Sequence, residues 1–277
     1  MEMVTLNNGV EIPLIGFGLY KVEKADAYRV VSDAIKVGYR LFDTAQRYEN
    51  EEEVGSAIKD SGIDRSEFFI TTKVWITNAG EETAYNSVIE SMKKLQVDYL
   101  DMVLVHQPFN DYYGTYRALT RLYKEKKVRA IGVSNFYPDR LVDIVKFNEI
   151  TPQINQVETH VFNQQIYAHE IMKKYGVKLQ AWSPLASGRN NLLSNELLTN
   201  IGKKYNKTAA QVALRYLIDI GDLVVVKSTH IERMKENIDI LDFFLTNEEI
   251  ESIHSLNENT SVFFDHNDPE TVLYLTR

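Results

Sequence analysis

The chain has 277 residues, 44% hydrophobic and 25% charged, which is enough apolar material for a large core at a size typical of one α/β barrel domain spanning 1–277. Its formal net charge of -8 argues against non-specific binding to nucleic acid or an anionic membrane, and no stretch approaches the ~18 consecutive apolar residues of a membrane span. It has no cysteine, so disulfides, thiolate nucleophiles and sulfur-ligated zinc are excluded; no basic and apolar leader follows Met1, and the expectation is a cytoplasmic monomer with no metal.

Val4 to Ile12 gives two short alternating runs around Asn8-Gly9, a dipeptide suited to a type I′ turn, so a hairpin precedes the main fold. Leu14 to Leu19 reads as a strand. Ala25 to Val37 reads as a helix, with Ala27, Val30, Val31, Ala34, Ile35 and Val37 at helical spacing. The alternation then repeats: a strand ending at Asp43 and a helix near Glu51 to Lys59, Phe68 to Val74 and Glu82 to Leu95, Tyr99 to Val105 and Gly114 to Lys126. It continues with Val128 to Val133 and Arg140 to Phe147, Ile154 to Val157 and Gln165 to Tyr175, then Lys178 to Ser183 before helices Glu196 to Lys204 and Ala209 to Ile220. Leu223 to Lys227 and Glu232 to Ile240 complete the series. Eight strand and helix units without a Pro, Gly or Ser-rich linker predict a closed (β/α)8 TIM barrel, with a doubly wound sheet as the alternative. Thr246 to Leu256 predicts a helix with a capping box to Glu249, and Asn257 to Arg277 a loop-rich extension able to cover one mouth of the barrel.

Barrel chemistry sits at the C-terminal ends of the strands, and here those ends are polar. The second strand ends in Asp43, the third carries Lys73 and the fourth stops at His106. Ser134-Asn135, Gln156-Glu158, Ser183 and Lys227-Ser228 follow on the remaining strands. Period-two alternation puts Asp43 on the face of Leu41, Lys73 on that of Thr71 and Phe69, and His106 on that of Leu104 and Met102. An isolated Asp usually caps a helix or pairs with Arg, and an isolated buried His is usually structural. Together with Tyr48, five residues beyond Asp43, these groups form a proton-donating set: a phenol, an ammonium to lower its pKa, a carboxylate to hold the ammonium and an imidazole to orient a carbonyl.

Asp43-Thr44-Ala45, Tyr48, Lys73 and His106 before Pro108 resemble the catalytic tetrad of the aldo-keto reductases, and the likeness covers nearly the whole chain. Ala130 to Phe136, AIGVSNF, resembles that family's fifth-strand motif. The resemblance implies that Ser134, Asn135 and Gln156 hold the carboxamide of a nicotinamide cofactor, that Trp182 stacks on its ring, and that Ser183 and Leu185 meet its pyrophosphate. Lys227, Ser228, Arg233, Glu236 and Asn237 resemble the adenosine end, which implies NADPH/NADP+. A 2′-phosphate also suits a Lys and a fork-shaped Arg on chemical grounds. Tyr20, Trp75, Gln107, Phe109 and the tail residue Phe264 are the expected pocket wall for a small-molecule carbonyl substrate. The sequence departs from the family at Val226, where Pro is frequent, and at Gln107, where Trp is common; its short loops and Trp182-Ser183-Pro184-Leu185 resemble the bacterial branch of 2,5-diketogluconate and broad-range aldehyde reductases.

The resemblance implies reduction of aldehydes or ketones by hydride transfer from nicotinamide C4, with Tyr48 as the general acid. Two alternatives belong to other classes. One is a non-catalytic NADPH-binding regulatory subunit, as in the potassium-channel β-subunits of this superfamily; the other is a Schiff-base barrel aldolase using Lys73. A Rossmann site is excluded, because Gly16-Phe17-Gly18 lacks the third glycine of that fingerprint.

Overall fold

The computed structural model describes residues 2–276. Two short strands, β1 (Met3–Thr5) and β2 (Glu11–Pro13), form an antiparallel hairpin, and eight parallel strands then close into a barrel. The barrel strands are β3 (Ile15–Gly18), β4 (Leu41–Asp43), β5 (Phe69–Val74), β6 (Leu100–Val105), β7 (Val128–Ser134), β8 (Ile154–Glu158), β9 (Lys178–Trp182) and β10 (Leu223–Val226). They pair in chain order, and β10 closes the ring against β3 through Val224 to Ile15, Val225 to Gly16 and Val226 to Phe17. The doubly wound alternative is thereby excluded.

Helices α1 (Lys24–Val37), α2 (Glu51–Asp60), α3 (Glu81–Lys94), α4 (Tyr112–Lys124), α5 (Pro138–Phe147) and α6 (Ile166–Tyr175) follow successive strands. Helices α7 (Glu196–Tyr205) and α8 (Ala209–Asp219) both precede β10, and α9 (Ile231–Ile238), α10 (Asn247–His254) and α11 (Pro269–Leu275) complete the chain. Among the described residues no helix is long and apolar enough to cross a membrane.

Alternation along the strands divides the apolar residues into two layers. Leu41, Phe69, Met102, Leu104, Ala130, Ile154, Leu223 and Val225 fill the barrel interior, while Ile70, Val103, Val105, Ile131 and Val133 pack outward against the helices. The interior is crowded enough to require glycine. A Cβ on Gly16 would lie 2.3 Å from Leu41 Cδ2, and one on Gly132 would lie 2.7 Å from the Ile154 carbonyl oxygen. Leu6 and Ile12 of the hairpin join the same apolar cluster, and the Asn7 and Asn8 amides donate to the carbonyls of Pro152 and Arg129, each at 3.0 Å. These partners lie at the starts of β7 and β8, so the hairpin stoppers the N-terminal end of the barrel.

Two local expectations need correction. The hairpin turn is not type I′ at Asn8-Gly9: Leu6 N donates to Val10 O, Gly9 N donates to Leu6 O, and of the three loop residues only Gly9 takes a positive φ, 85°. It is a three-residue loop in which Gly9 forms the bulge. The tail is also less irregular than expected. Asp268 caps the short helix α11 by accepting from Glu270 N, with Pro269 in its first turn, an N-terminal signal that the polar surroundings obscured. The capping box at Thr246 and Glu249 forms as expected, with Glu249 N donating to Thr246 Oγ1 at 3.2 Å and Thr246 N to Glu249 Oε2 at 2.9 Å.

Candidate active site

β4 ends at Asp43, which is 3% exposed, and β5 brings Lys73, fully buried, beside it. The Lys73 ammonium donates to Asp43 Oδ1, to the Thr44 carbonyl at 2.9 Å and to the Tyr48 hydroxyl at 3.4 Å, so each of its three hydrogens has a partner. Gln156 Nε2 donates to Asp43 Oδ2 at 2.7 Å, which satisfies the other carboxylate oxygen. A buried ion pair is tolerable when its remaining hydrogen-bonding capacity is filled in this way. The same contacts oppose a Schiff-base role, since a nitrogen held as an ammonium by a carboxylate, a carbonyl and a phenol has no lone pair for attack.

Tyr48 is delivered by a single 3-10 turn, Gln46–Tyr48, whose last N–H donates to Ala45 O at 2.9 Å. The turn is pinned on both sides. Gln46 Oε1 accepts from Trp75 N at 3.0 Å and Asn78 Nδ2 at 2.8 Å, while its Nε2 donates to Ser87 Oγ at 3.0 Å. Buried Asn50 accepts from Thr44 Oγ1 at 2.6 Å and donates to the carbonyls of Leu19 and Val22. The sequence reading assigned no role to Gln46 or Asn50; their signal was two amides flanking Tyr48 in a stretch that must hold a fixed shape.

His106 follows β6, with its ring edge-on to Trp75 at 4.9 Å and to Tyr48 at 5.8 Å. Burial, the nearby Lys73 charge and His266 hold its pKa well below the ordinary histidine range, so the imidazole is neutral. Burial first, then the Asp43 charge and Tyr20, push the Tyr48 phenol well above its usual value. That direction corrects the expectation that Lys73 lowers it. The ammonium is already matched by Asp43, and burial pulls Lys73 itself down against the opposing pull of that carboxylate. The protonated phenol is thus the stable form.

The fifth to seventh strand ends make one polar seam. Ser134 Oγ donates to Gln156 O at 2.9 Å, and Asn135 Nδ2 donates to His106 O and to Ser134 Oγ, both at 3.1 Å. Asn135 takes a φ of 64°, and its Oδ1 accepts from Trp182 Nε1 at 2.8 Å. Gln156 Nε2 is also bonded to Gln180 Oε1 at 2.8 Å. Ser134, Asn135, Gln156 and Trp182 therefore converge, although the amide hydrogens of Asn135 are spent on His106 O and Ser134 Oγ and those of Gln156 on Asp43 and Gln180, so a bound carboxamide has to exchange one of these bonds. Ser183 adopts a left-handed φ of 52° with its Oγ 3.1 Å from Ser187 Oγ, and half-buried Leu185 leads into the irregular turn Ala186–Ser194.

At the eighth strand, Lys227 lies just past β10 and Arg233 on α9; both are exposed, and among the described residues neither is in an ion pair. Ser228 is buried, its Oγ closing the turn to His230, whereas Glu236 Oε1 is occupied by Thr208 Oγ1 at 2.6 Å and Asn237 is buried beside it. Lys227 just past β10 and Arg233 in the first turn of α9 are thus two exposed cations without an acidic partner among the described residues.

Of the expected pocket wall, Tyr20 is exposed and tilted onto Tyr48 at 5.3 Å, Trp75 borders His106, and Gln107 is buried with its Oε1 unpartnered. Phe109 stacks on His266 at 6.2 Å, and Phe264 lies 5.0 Å from the same ring. The tail thus reaches the C-terminal mouth, which sequence spacing alone could not place. Glu158 at the end of β8 anchors it by accepting from Val262 N at 2.9 Å and from Ser261 Oγ. Phe263 packs edge-on to Trp182 at 5.3 Å, with the Arg189 guanidinium over its ring at 4.4 Å. Phe263 and His266 are site neighbours that the sequence reading did not name, and Glu158, named there only as a polar strand end, was given no role, because their partners lie far along the chain. Among the described residues no group of three His, Asp or Glu side chains is placed to hold a metal.

The Aldo/keto reductase family model matches residues 14–258. Glyoxal reductase from Bacillus subtilis (strain 168) is 47% identical over 263 residues, covering 94% of this chain and 95% of that protein. Methylglyoxal reductase DkgA from Escherichia coli O157:H7 is 35% identical, with 92% and 94% covered. The solved structure of an aldo-keto reductase from a Medee basin deep-sea metagenome library superposes with a TM-score of 0.93 at 44% identity, covering 96% of this chain and 98% of that one. With this site at the mouth of this barrel, the chain belongs to the aldo/keto reductase family and is an oxidoreductase of small-molecule carbonyl compounds.

Proposed function

We propose that the protein reduces aldehydes and ketones to alcohols with NADPH, with Tyr48 donating the proton to the carbonyl oxygen. The observation that carries this reading is the Tyr48 hydroxyl 3.4 Å from the Lys73 ammonium, with the neutral His106 ring edge-on at 5.8 Å. When bound, the reduced nicotinamide supplies a hydride to the carbonyl carbon. Ser134, Asn135, Gln156 and Trp182 hold and orient its ring and carboxamide.

The proton has a separate route. A raised phenol pKa keeps Tyr48 protonated until negative charge develops on the substrate oxygen. The phenolate left after transfer faces the Lys73 ammonium, which stabilises it until solvent returns the proton. Neutral His106 donates a hydrogen bond to the same oxygen and so fixes the carbonyl in reach of the phenol. Asp43 keeps Lys73 charged and in position.

Support for NADPH over NADH comes from Lys227 and Arg233, exposed at the β10 end without acidic partners. The bacterial relatives are named for glyoxal and methylglyoxal, so α-oxoaldehydes are the first substrates to try. The test is the loss of reduced-nicotinamide absorbance with NADPH and with NADH over a panel of α-oxoaldehydes, simple aldehydes and sugar ketoacids. Faster oxidation of NADPH, abolished by Tyr48→Phe, is expected. No turnover of any carbonyl with either cofactor, despite tight cofactor binding, would overturn the reading in favour of a non-catalytic binding module.

A further inference from the structure

A backbone N–H can only donate, so the atom of Gln46 that meets Trp75 N at 3.0 Å is its carbonyl oxygen Oε1, which also accepts from Asn78 Nδ2 at 2.8 Å. That fixes the amide the other way round at its far end. Gln46 Nε2 faces α3 and donates to Ser87 Oγ at 3.0 Å and to Ser91 Oγ at 3.3 Å. Both serines are placed to accept. Ser87 spends its own hydrogen on the Ala84 carbonyl at 2.8 Å, and Ser91 faces the carboxyl of Glu51, whose charged form it favours. The bonds of Gln46 thus use both donor hydrogens and both lone pairs of its amide.

Glu51, which opens α2, is 3% exposed, and the proton-transfer scheme gives its carboxyl no task. Its Oε1 accepts from Thr72 Oγ1 at 2.6 Å. Thr72 directly precedes Lys73 on β5, and Trp75 lies two residues beyond it. Gln46 therefore grips the strand on either side of the lysine, at Trp75 N directly and at Thr72 by way of Ser91 and Glu51. It is also the first residue of the turn that carries Tyr48. The Trp75 that it holds lays its ring edge-on to His106 at 4.9 Å, so one side chain ties together the carriers of three members of the site.

The contact between Tyr48 and Lys73 has little slack. At 3.4 Å it lies at the outer limit of a hydrogen bond, and a slip of about half an ångström between turn and strand would break it. We propose that Gln46, oriented from behind by Glu51, is a positioning residue for carbonyl reduction: it sets the gap between the Tyr48 hydroxyl and the Lys73 ammonium. The inference rests on the proton-donor role proposed for Tyr48 and adds a residue that acts through the donor rather than on the substrate. A brace that served only the fold could take hold anywhere along β5, whereas this one straddles Lys73.

Gln46→Met keeps the length of the side chain and removes all of its hydrogen bonds. It is expected to lower kcat about tenfold, with the KM for the carbonyl and the dissociation constant of NADPH each within about twofold, because a misplaced donor costs rate rather than binding. Gln46→Glu keeps the bonds to Trp75 and Asn78 and should recover part of the loss. In a Tyr48→Phe background, Gln46→Met should change the residual rate by less than about twofold; a purely structural brace would add its full loss there. A readout without turnover is the fluorine resonance of Tyr48 in protein containing 3-fluorotyrosine, identified by its absence in Tyr48→Phe. It should shift or broaden in Gln46→Met. Should Gln46→Met not fold, Ser91→Ala cuts only the link to Glu51 and is expected to lower kcat about threefold and to move the same resonance. An unchanged kcat with an unmoved resonance in the folded variants, or an equal loss of rate in the Tyr48→Phe background, would overturn the brace. Full activity in Tyr48→Phe, with the Tyr48 resonance still displaced by Gln46→Met, would instead locate the failure in the proton-donor reading.

Discussion

The Lys73 ammonium stands 3.4 Å from the Tyr48 phenol oxygen, the longest of its three contacts, with the carboxylate of Asp43 held much closer. Lysine is thus bound first to its counter-ion and only secondarily to the phenol. Replacing Tyr48 with Phe removes the proposed proton donor and leaves that ion pair untouched. Turnover is expected to fall by about 10² to 10⁴ while NADPH affinity, read by fluorescence titration, stays within about twofold.

The Asp43–Lys73 pair makes a stability prediction. Lys73→Met leaves a buried carboxylate with only Gln156 to answer it, at a cost of about 3–5 kcal/mol. Adding Asp43→Asn removes the stranded charge, so the double variant should be more stable than Lys73→Met alone. Urea denaturation of the single and double variants checks the order; equal destabilisation would mean that the two residues are not coupled.

Arg233 is exposed and lacks a counter-ion, so its removal should cost the fold little. Arg233→Ala is expected to weaken NADPH about tenfold and NADH by far less. Dissociation constants for both cofactors decide this, and an equal loss for the two would place the 2′-phosphate elsewhere.

His266 should leave a mark on acid stability. Its folded pKa of about 4 lies below the roughly 6.5 of an unfolded histidine, so the unfolded chain takes up the proton first as pH falls. Stability is therefore retained above about 6.5 and declines as pH drops toward 4, by at most about 3 kcal/mol from this group. In His266→Gln the thermal midpoint should depend less steeply on pH across that window. Buried His106 adds a slope of the same sign.

Glu158 carries the tail's anchorage through Ser261 and Val262. In Glu158→Ala, amide exchange over residues 260–268 should accelerate, while the barrel strands keep their protection. Unchanged exchange in the tail would show that Tyr137 and the aromatic contacts suffice to hold it.

The barrel was legible in the sequence because each of its strands is short, apolar and followed by a helical period, and the tetrad was legible because each member occupies a strand end or the loop after it. The hairpin was visible, but not its turn: Asn-Gly suits a two-residue loop, yet the bond from Leu6 N to Val10 O leaves three residues, Asn7 to Gly9, to connect, and the glycine shifts to the bulge. His266 and Phe263 were out of reach for another reason. Their roles come from contacts with Phe109, Tyr137 and Trp182, and no periodicity in an irregular segment encodes where it will land. The raised pKa of Tyr48 was hidden likewise, since charge pairing suggests a direction that burial reverses.

The ring closes where β10 meets β3, strands separated by about 200 residues of chain, among the costliest kinds of contact to bring together. During synthesis Ile15, Gly16 and Phe17 therefore emerge almost first and wait almost longest for their second neighbour. Until Val224, Val225 and Val226 have left the ribosome, the nascent sheet is open, with unpaired backbone along both β3 and β9, the kind of edge that recruits other chains. Translation that stalls before residue 223 should thus yield aggregates or chaperone-bound chains rather than a partly active enzyme.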